Sequence, residues 1–262
     1  VYTSDLQNFP WAKTKHQLYL AFLPHVFEQF NFNEYDIVIS SSHSCAKGII
    51  TKPETLHISY CHSPMRYAWE DSIGYIKSYE INPLIKKVAP FFVHKIRIWD
   101  RLSADRVDNF IANSHHVQQR IFKFYRKPST VIYPFIESKD FTVSSKRDNF
   151  FLAVGRITPY KKFDLLVETF NDLGLPLKIV GEGVARSKLQ KIAKSNIEFL
   201  GYVSKDALHN LYQKASALLF PQIEDFGITP LEAMATGCPV IAFKGGGALE
   251  TIVEDETGIF FP

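Results

Sequence analysis

Short apolar runs alternate with amphipathic helical patterns along almost the whole chain. This alternation constrains the fold more than any other feature. Period-two apolar runs bounded by turn residues read as strands, and the 3.6-residue patterns between them read as crossover helices over parallel sheets. Expected strands in the first half are Asp36–Ser40, Leu56–Cys61, Asn109–Asn113 and Thr130–Tyr133. In the second half they are Asn149–Val154, Leu177–Val180, Ile197–Leu200, Ala217–Phe220, Pro239–Phe243 and Gly258–Phe261. Expected helices include Lys162–Asp172, Val184–Lys194, Lys205–Lys214 and Pro230–Thr236.

The alternation breaks once, at Glu137–Asp148 (ESKDFTVSSKRD), which is polar and Ser-rich after Tyr133-Pro134. It reads as an interdomain linker. A chain of 262 residues accommodates two α/β domains. The expected organisation is therefore 1–136, a linker at 137–148, and 149–262. Two doubly wound, Rossmann-like domains would face each other across a cleft, with ligands at the carboxyl ends of the strands.

Composition narrows the function classes. Hydrophobic residues make up 46% and charged residues 22%, the balance of a folded domain. A net charge of +3 is far short of a nucleic-acid binder's excess. It suits an anionic small ligand or an anionic membrane surface. Cys45, Cys61 and Cys238 are widely spaced and form no C-x-x-C pair, so neither a disulfide framework nor a zinc site is expected. With no apolar run long enough to span a bilayer and no signal peptide, the expected compartment is the cytoplasm. Val1 is not a methionine and Pro262 closely follows an expected strand, so both ends read as truncated.

Four loops after strands of the second half carry candidate chemistry. Gly155-Arg156-Ile157-Thr158-Pro159-Tyr160-Lys161-Lys162 brings a planar guanidinium and a point charge together. They either converge on one anion or form a solvated helix start. Gly181-Glu182-Gly183 is a turn that relieves backbone strain or approaches a ligand. In Glu224-Asp225-Phe226-Gly227-Ile228-Thr229-Pro230-Leu231-Glu232, Thr229 is the expected N-cap, Pro230 the first helical residue and Glu232 a capping-box carboxylate. The same helix start could instead offer N–H groups to a phosphate, and Glu224 could hold sugar hydroxyls. Lys244-Gly245-Gly246-Gly247 either exposes amides to an oxyanion or is a flexible loop.

Taken together, the loops resemble glycosyltransferase family 4, the retaining enzymes of GT-B fold. Glu224 and Glu232 match the E-x7-E motif within EDFGITPLEAMATGCPVIA, and GRITPYKKFDLL matches G-R-x4-K. IVGEG, IANSHHVQQRI, TVIYP and GGGALETIVEDETG follow the family's order, from about Tyr35 to the end. The resemblance implies that Arg156 and Lys161, after Gly155, bind the donor diphosphate. It implies that Glu224 holds the transferred sugar and that Glu232 binds the ribose. Gly227, Ile228 and Thr229 would present backbone groups to phosphate or ribose, and Gly246 would line the same site.

The segment Tyr60–Glu70 (YCHSPMRYAWE) resembles Y-x-H-T-P-x-R-Y-x-W of a subset that often builds bacterial O-antigen or capsule with mannose. Here Ser63 stands for the usual Thr. His62 would lie near the donor sugar, and Arg66 would either enter the cleft or pair with Glu70 four residues on. A family member usually opens with a strand and glycine-rich loop and closes with helices that cross back, and neither pattern is visible in this sequence.

The resemblance therefore implies a metal-independent, retaining hexosyltransferase with no cofactor. Its donor would be GDP-mannose and its acceptor a saccharide or lipid-linked saccharide. The alternatives are a UDP-sugar donor, or a non-catalytic nucleotide-sugar-binding subunit. No Asp-x-Asp pair stands ready for a divalent ion. Pro83–Asp105, mixing Lys86, Lys87, Lys95, Arg97 and Arg101 with Phe91, Phe92, Ile98 and Trp99, is either a peripheral membrane contact interrupted by Pro90 or a buried apolar face with snorkelling lysines.

Overall fold

The computed structural model describes residues 2–10, 12, 19–70, 72 and 83–262, with residues 83–85 by backbone alone. The chain divides into two compact units, Val1–Tyr133 and Pro134–Pro262. Each is built on an all-parallel sheet.

In the first unit the strands β1 (Ile37–Ser42), β2 (Leu56–Cys61), β3 (Asn109–Ala112) and β4 (Ser129–Val131) lie in the order β1-β2-β3-β4. Among the described residues this sheet is wound in one direction. Its helices are α1 (Leu23–Glu28), α2 (Arg66–Trp69), α3 (Pro83–Ser103) and α4 (His115–Tyr125). Alternate residues of β1 are buried, while Ile37 and Ile39 on its other face are exposed. Ser114 caps α4 by accepting a hydrogen bond from the Val117 amide at 3.0 Å.

The helix α3 runs unbroken through Pro90, which the sequence had marked as an interruption. Pro90 is exposed, so the intrahelical hydrogen bond that its missing N–H removes lies on the solvent side. Ile96, Asp100 and Ser103 face inward. Val88, Phe91, Phe92, Ile98 and Leu102 are exposed, with Lys95 Nζ 5.5 Å from the centre of the Phe91 ring. The apolar residues of this helix are therefore not all core, and no helix among the described residues is long and apolar enough to cross a membrane.

The second sheet has the order β10-β9-β8-β5-β6-β7, with β5 (Phe151–Val154), β6 (Leu177–Val180), β7 (Ile197–Gly201), β8 (Ala217–Phe220), β9 (Val240–Phe243) and β10 (Gly258–Phe261). It is doubly wound: the chain runs outward from β5 through β6 and β7, then returns to the other side of β5. Helices α5 (Phe163–Leu173), α6 (Arg186–Ile192), α7 (Lys205–Lys214), α8 (Ile228–Ala235) and α9 (Ala248–Thr251) supply two cores. Leu152, Leu218 and Val240 pack into one, and Ala153, Leu219 and Ile241 into the other. Burial on both faces explains why β8 reads as four consecutive apolar residues.

The polar segment 137–148, read from sequence as the connection between domains, is fastened to this second unit. Ser144 N donates to Thr236 O at 3.1 Å, and Arg147 Nη1 donates to Tyr212 O at 3.1 Å. Lys205 Nζ meets Asp140 Oδ2 at 2.6 Å, and the Phe141 ring packs on His209. The Arg147 side chain, which looks solvated in a string of letters, here satisfies carbonyls at helix ends.

Candidate functional site

The reversal of strand order between β5 and β8 leaves a crevice position at the carboxyl edge of the second sheet. The loops after β5, β6, β8 and β9 are all tied together there. Gly155 N donates to Val180 O at 3.0 Å and Ile157 N to Glu182 O at 2.8 Å, joining the β5 and β6 loops. A Cβ on Gly181 would stand 2.0 Å from Gly155 O, so only glycine permits this approach. The β9 loop packs just as closely on the β8 loop. Gly247 N donates to Glu224 O at 2.9 Å, and a Cβ on Gly247 would stand 2.4 Å from Phe226 Cα. The triple-glycine stretch is therefore neither a flexible loop nor a fully open row of amides, because one of its N–H groups is spent on Glu224.

Two expected site residues meet directly across the reversal point. Lys161 Nζ lies 2.9 Å from Glu224 Oε1, with the two side chains 15% and 18% exposed. The ammonium sits over Gly155, 3.1 Å from where a Cβ would be. Gly155 thus opens the space that the lysine fills. Arg156 is exposed and has no ion-pair partner among the described residues. Gly246 touches the Glu224 backbone: a Cβ there would stand 2.5 Å from Glu224 O.

The start of α8 differs from the expected cap. Gly227, in the left-handed region at φ 96°, is the N-cap, so Ile228 and Thr229 form the first turn with Pro230. Thr229 caps nothing, because the glycine turn lets the helix begin two residues earlier. The first-turn amides of Ile228 and Thr229 have no acceptor within the helix. Glu232 makes no capping box either. Its Oε2 accepts a hydrogen bond from the Tyr212 hydroxyl at 3.0 Å.

In the first unit, His62 directly follows β2, exposed, with its Nε2 2.8 Å from Ser41 Oγ and its ring edge-on to Tyr60. Arg66 Nε lies 3.9 Å from Glu70 Oε2, the pair that its spacing allows. Glu70 is shared with the buried Arg120, whose Nε lies 2.6 Å from Oε1, and Arg120 Nη1 also donates to Ser63 Oγ at 2.7 Å. The hydroxyl that Ser63 retains in place of threonine thus anchors the loop after His62 to α4.

Four residues were not singled out from sequence. Arg120 lies inside IANSHHVQQRI but looks like one more helical cation. Tyr212 looks like core. Lys47 and Asp100 look like surface charges, yet they form a fully buried ion pair. Asp100 Oδ2 also accepts from Trp69 Nε1 at 2.6 Å and from the Tyr125 hydroxyl at 2.8 Å. No spacing rule links residues so far apart.

Comparison with known proteins bears on these loops. Residues 135–262 match the family model described as glycosyl transferases group 1. The chain is 32% identical over 164 residues to the O-antigen chain mannosyltransferase RfbU of Salmonella typhimurium, covering 57% of this chain and 46% of RfbU. It is 28% identical to the alpha-1,3/1,6-mannosyltransferase ALG2 of Saccharomyces cerevisiae, covering 91% of this chain and 56% of ALG2. The chain spans about half the length of the curated relatives it matches. Among solved structures, HepE of Anabaena in complex with UDP and glucose superposes with a TM-score of 0.66 at 17% identity, covering 97% of this chain and 70% of HepE. That likeness concerns the fold alone. With two parallel-sheet units of GT-B type and this match over its second unit, the chain carries in residues 135–262 the domain of the glycosyl transferases group 1.

Proposed function

We propose that the chain acts as a retaining hexosyltransferase whose second unit holds a nucleotide diphosphate sugar, with GDP-mannose as donor and a saccharide or lipid-linked saccharide of a surface polysaccharide as acceptor. The observation that carries this reading is the Lys161–Glu224 pair across the strand reversal. In the absence of donor each group neutralises the other. An arriving diphosphate offers Lys161 a stronger anion, and Glu224 is released to accept hydrogen bonds from sugar hydroxyls. One contact thus holds both halves of the donor site in register.

Departure of the nucleoside diphosphate builds negative charge on the leaving oxygen. Lys161, Arg156 and the first-turn amides of α8 would stabilise that charge more in the transition state than in the ground state, which is what lowers the barrier. We propose that these groups do so without a metal. Glu232 would take a ribose hydroxyl, and Gly227 would let the chain approach the phosphates. The acceptor hydroxyl would attack from the face the diphosphate leaves, giving its proton to the departing phosphate. His62 and Arg66 are proposed to border the sugar and the acceptor.

Mannosyl transfer is supported by RfbU and ALG2, both mannosyltransferases. A UDP-sugar donor is the second reading, favoured by the UDP in the HepE structure. Titration calorimetry with GDP-mannose, UDP-glucose and UDP-N-acetylglucosamine, without added metal, separates the two. The expected result is tight binding of GDP-mannose alone; preference for a UDP-sugar would shift the donor assignment. A transfer assay then separates an enzyme from a binding subunit, which would leave the donor intact.

A lipid-linked acceptor places the work at a membrane surface. The exposed Phe91, Phe92, Ile98 and Leu102 beside Lys87 and Lys95 on α3 suit an anionic bilayer. The protein is expected to sediment with vesicles containing phosphatidylglycerol at low salt and to be released at high salt or by the Phe91→Ser/Phe92→Ser variant. Equal sedimentation with purely zwitterionic vesicles would sink this contact.

A further inference from the structure

A carboxylate on a short helix is a poor ligand until it is aimed. Glu232 stands on α8 at the edge of the donor loops, partly exposed. A free glutamate there would sample several rotamers, and freezing it on binding opposes affinity. Tyr212 removes that freedom. It comes from α7, its side chain is fully buried among Leu218, Ala233 and Val240, and its hydroxyl reaches Glu232 Oε2 at 3.0 Å. Burial, reinforced by the neighbouring carboxylate, holds the phenol far above the usual tyrosine range. The group therefore stays a donor, and the bond has one polarity.

We propose that Tyr212 is a positioning residue for recognition of the donor's ribose: its hydroxyl holds Glu232 Oε2 and leaves Oε1 to accept from a ribose hydroxyl. This rests on the reading of Glu232 as the ribose ligand. The core and the ligand site are thereby coupled through one hydrogen bond. Ordering of the carboxylate takes place on folding and not on binding.

The test is a cycle between protein and nucleotide. GDP and UDP, each with its 2′-deoxy and 3′-deoxy form, are titrated into the wild-type chain and the Tyr212→Phe variant. Inorganic pyrophosphate serves as a control for the phosphate end. Phenylalanine keeps the ring and its packing and removes only the hydroxyl. The wild type is expected to bind the better ribonucleotide about tenfold more tightly than one of its deoxy forms. In Tyr212→Phe that ratio should fall below about threefold, with pyrophosphate affinity unchanged. An unchanged ratio, or a pyrophosphate affinity that falls in step, would assign Tyr212 a merely structural role and overturn the proposal. A wild type that binds ribo and deoxy forms equally would show instead that Glu232 does not read the ribose. A wild type that binds no nucleotide would remove the donor site itself. The proposal falls in both cases, for distinguishable reasons.

Discussion

Lys161→Ala is expected to lower kcat/KM for sugar transfer by about a hundred- to a thousandfold, or roughly 3–4 kcal/mol of transition-state stabilisation, the range seen when one preorganised oxyanion partner is removed. In the donor-free chain the Lys161 ammonium lies 2.9 Å from the Glu224 carboxylate. Without the ammonium, Glu224 remains in the same crevice and turns from partner to repellent. The leaving diphosphate then loses an attraction and gains an opposing charge. Donor affinity should fall by more than about tenfold, since part of the interaction already exists in the ground state. Lys161→Arg should recover only part of the rate, because a planar fork does not replace a point charge seated over Gly155. Steady-state kinetics against donor concentration, with thermal unfolding as a control, reads this directly. A variant within about threefold of wild type would place the diphosphate elsewhere.

The largest stability effect is expected in the other unit. Asp100→Ala should destabilise it by about 3–5 kcal/mol, because it strands a cation in the interior. Lys47 is 1% exposed and Asp100 fully buried. Among the described residues, Lys47 would keep the faces of the Trp99 and Tyr125 rings, at 5.4 and 5.1 Å. The Trp69 indole and the Tyr125 hydroxyl would lose their acceptor as well. Against a typical domain stability of about 5–15 kcal/mol this is a large fraction. Replacing both charges, Lys47→Met with Asp100→Leu, should recover only part of the loss: it removes the stranded cation, while the Trp69 indole and the Tyr125 hydroxyl still lack their acceptor. Trp69 and Trp99 lie in the first unit, and the sequence of the second unit holds no tryptophan. Urea unfolding followed by tryptophan fluorescence therefore reports on this unit. A shift under about 1 kcal/mol for Asp100→Ala would mean that water or a rearranged side chain takes over the lysine.

The same contrast runs through the whole chain. Leu56–Cys61, Leu177–Val180, Ala217–Phe220, Gly258–Phe261 and helix Lys205–Lys214 have the bounds expected from their letters. Their signals are local: a period of two or 3.6, bounded by turn residues. The glycines, Lys161 and Glu224 were legible as a group because the loops after parallel strands come to one edge whatever the details of packing. Boundaries slipped where a turn offered two solutions. Gly227 could adopt the left-handed cap, so α8 begins ahead of Thr229. Pro90 could remain inside α3 because its missing hydrogen bond faces solvent.

What sequence alone determined, then, is the order of elements, the parallel sheets and the set of loops that carries charge. What only the tertiary structure decided is which partner each polar group takes. Glu232 turns to Tyr212, 20 residues away, and not to its own helix start. Lys47 finds Asp100 across 53 residues. Ser63 and Glu70 are claimed by Arg120. The physical reason is that secondary structure follows from the periodicity of burial, which neighbours in sequence share. The partner of a buried polar atom is whichever group the packed core leaves within about 3 Å, and that is set by elements that meet only after folding.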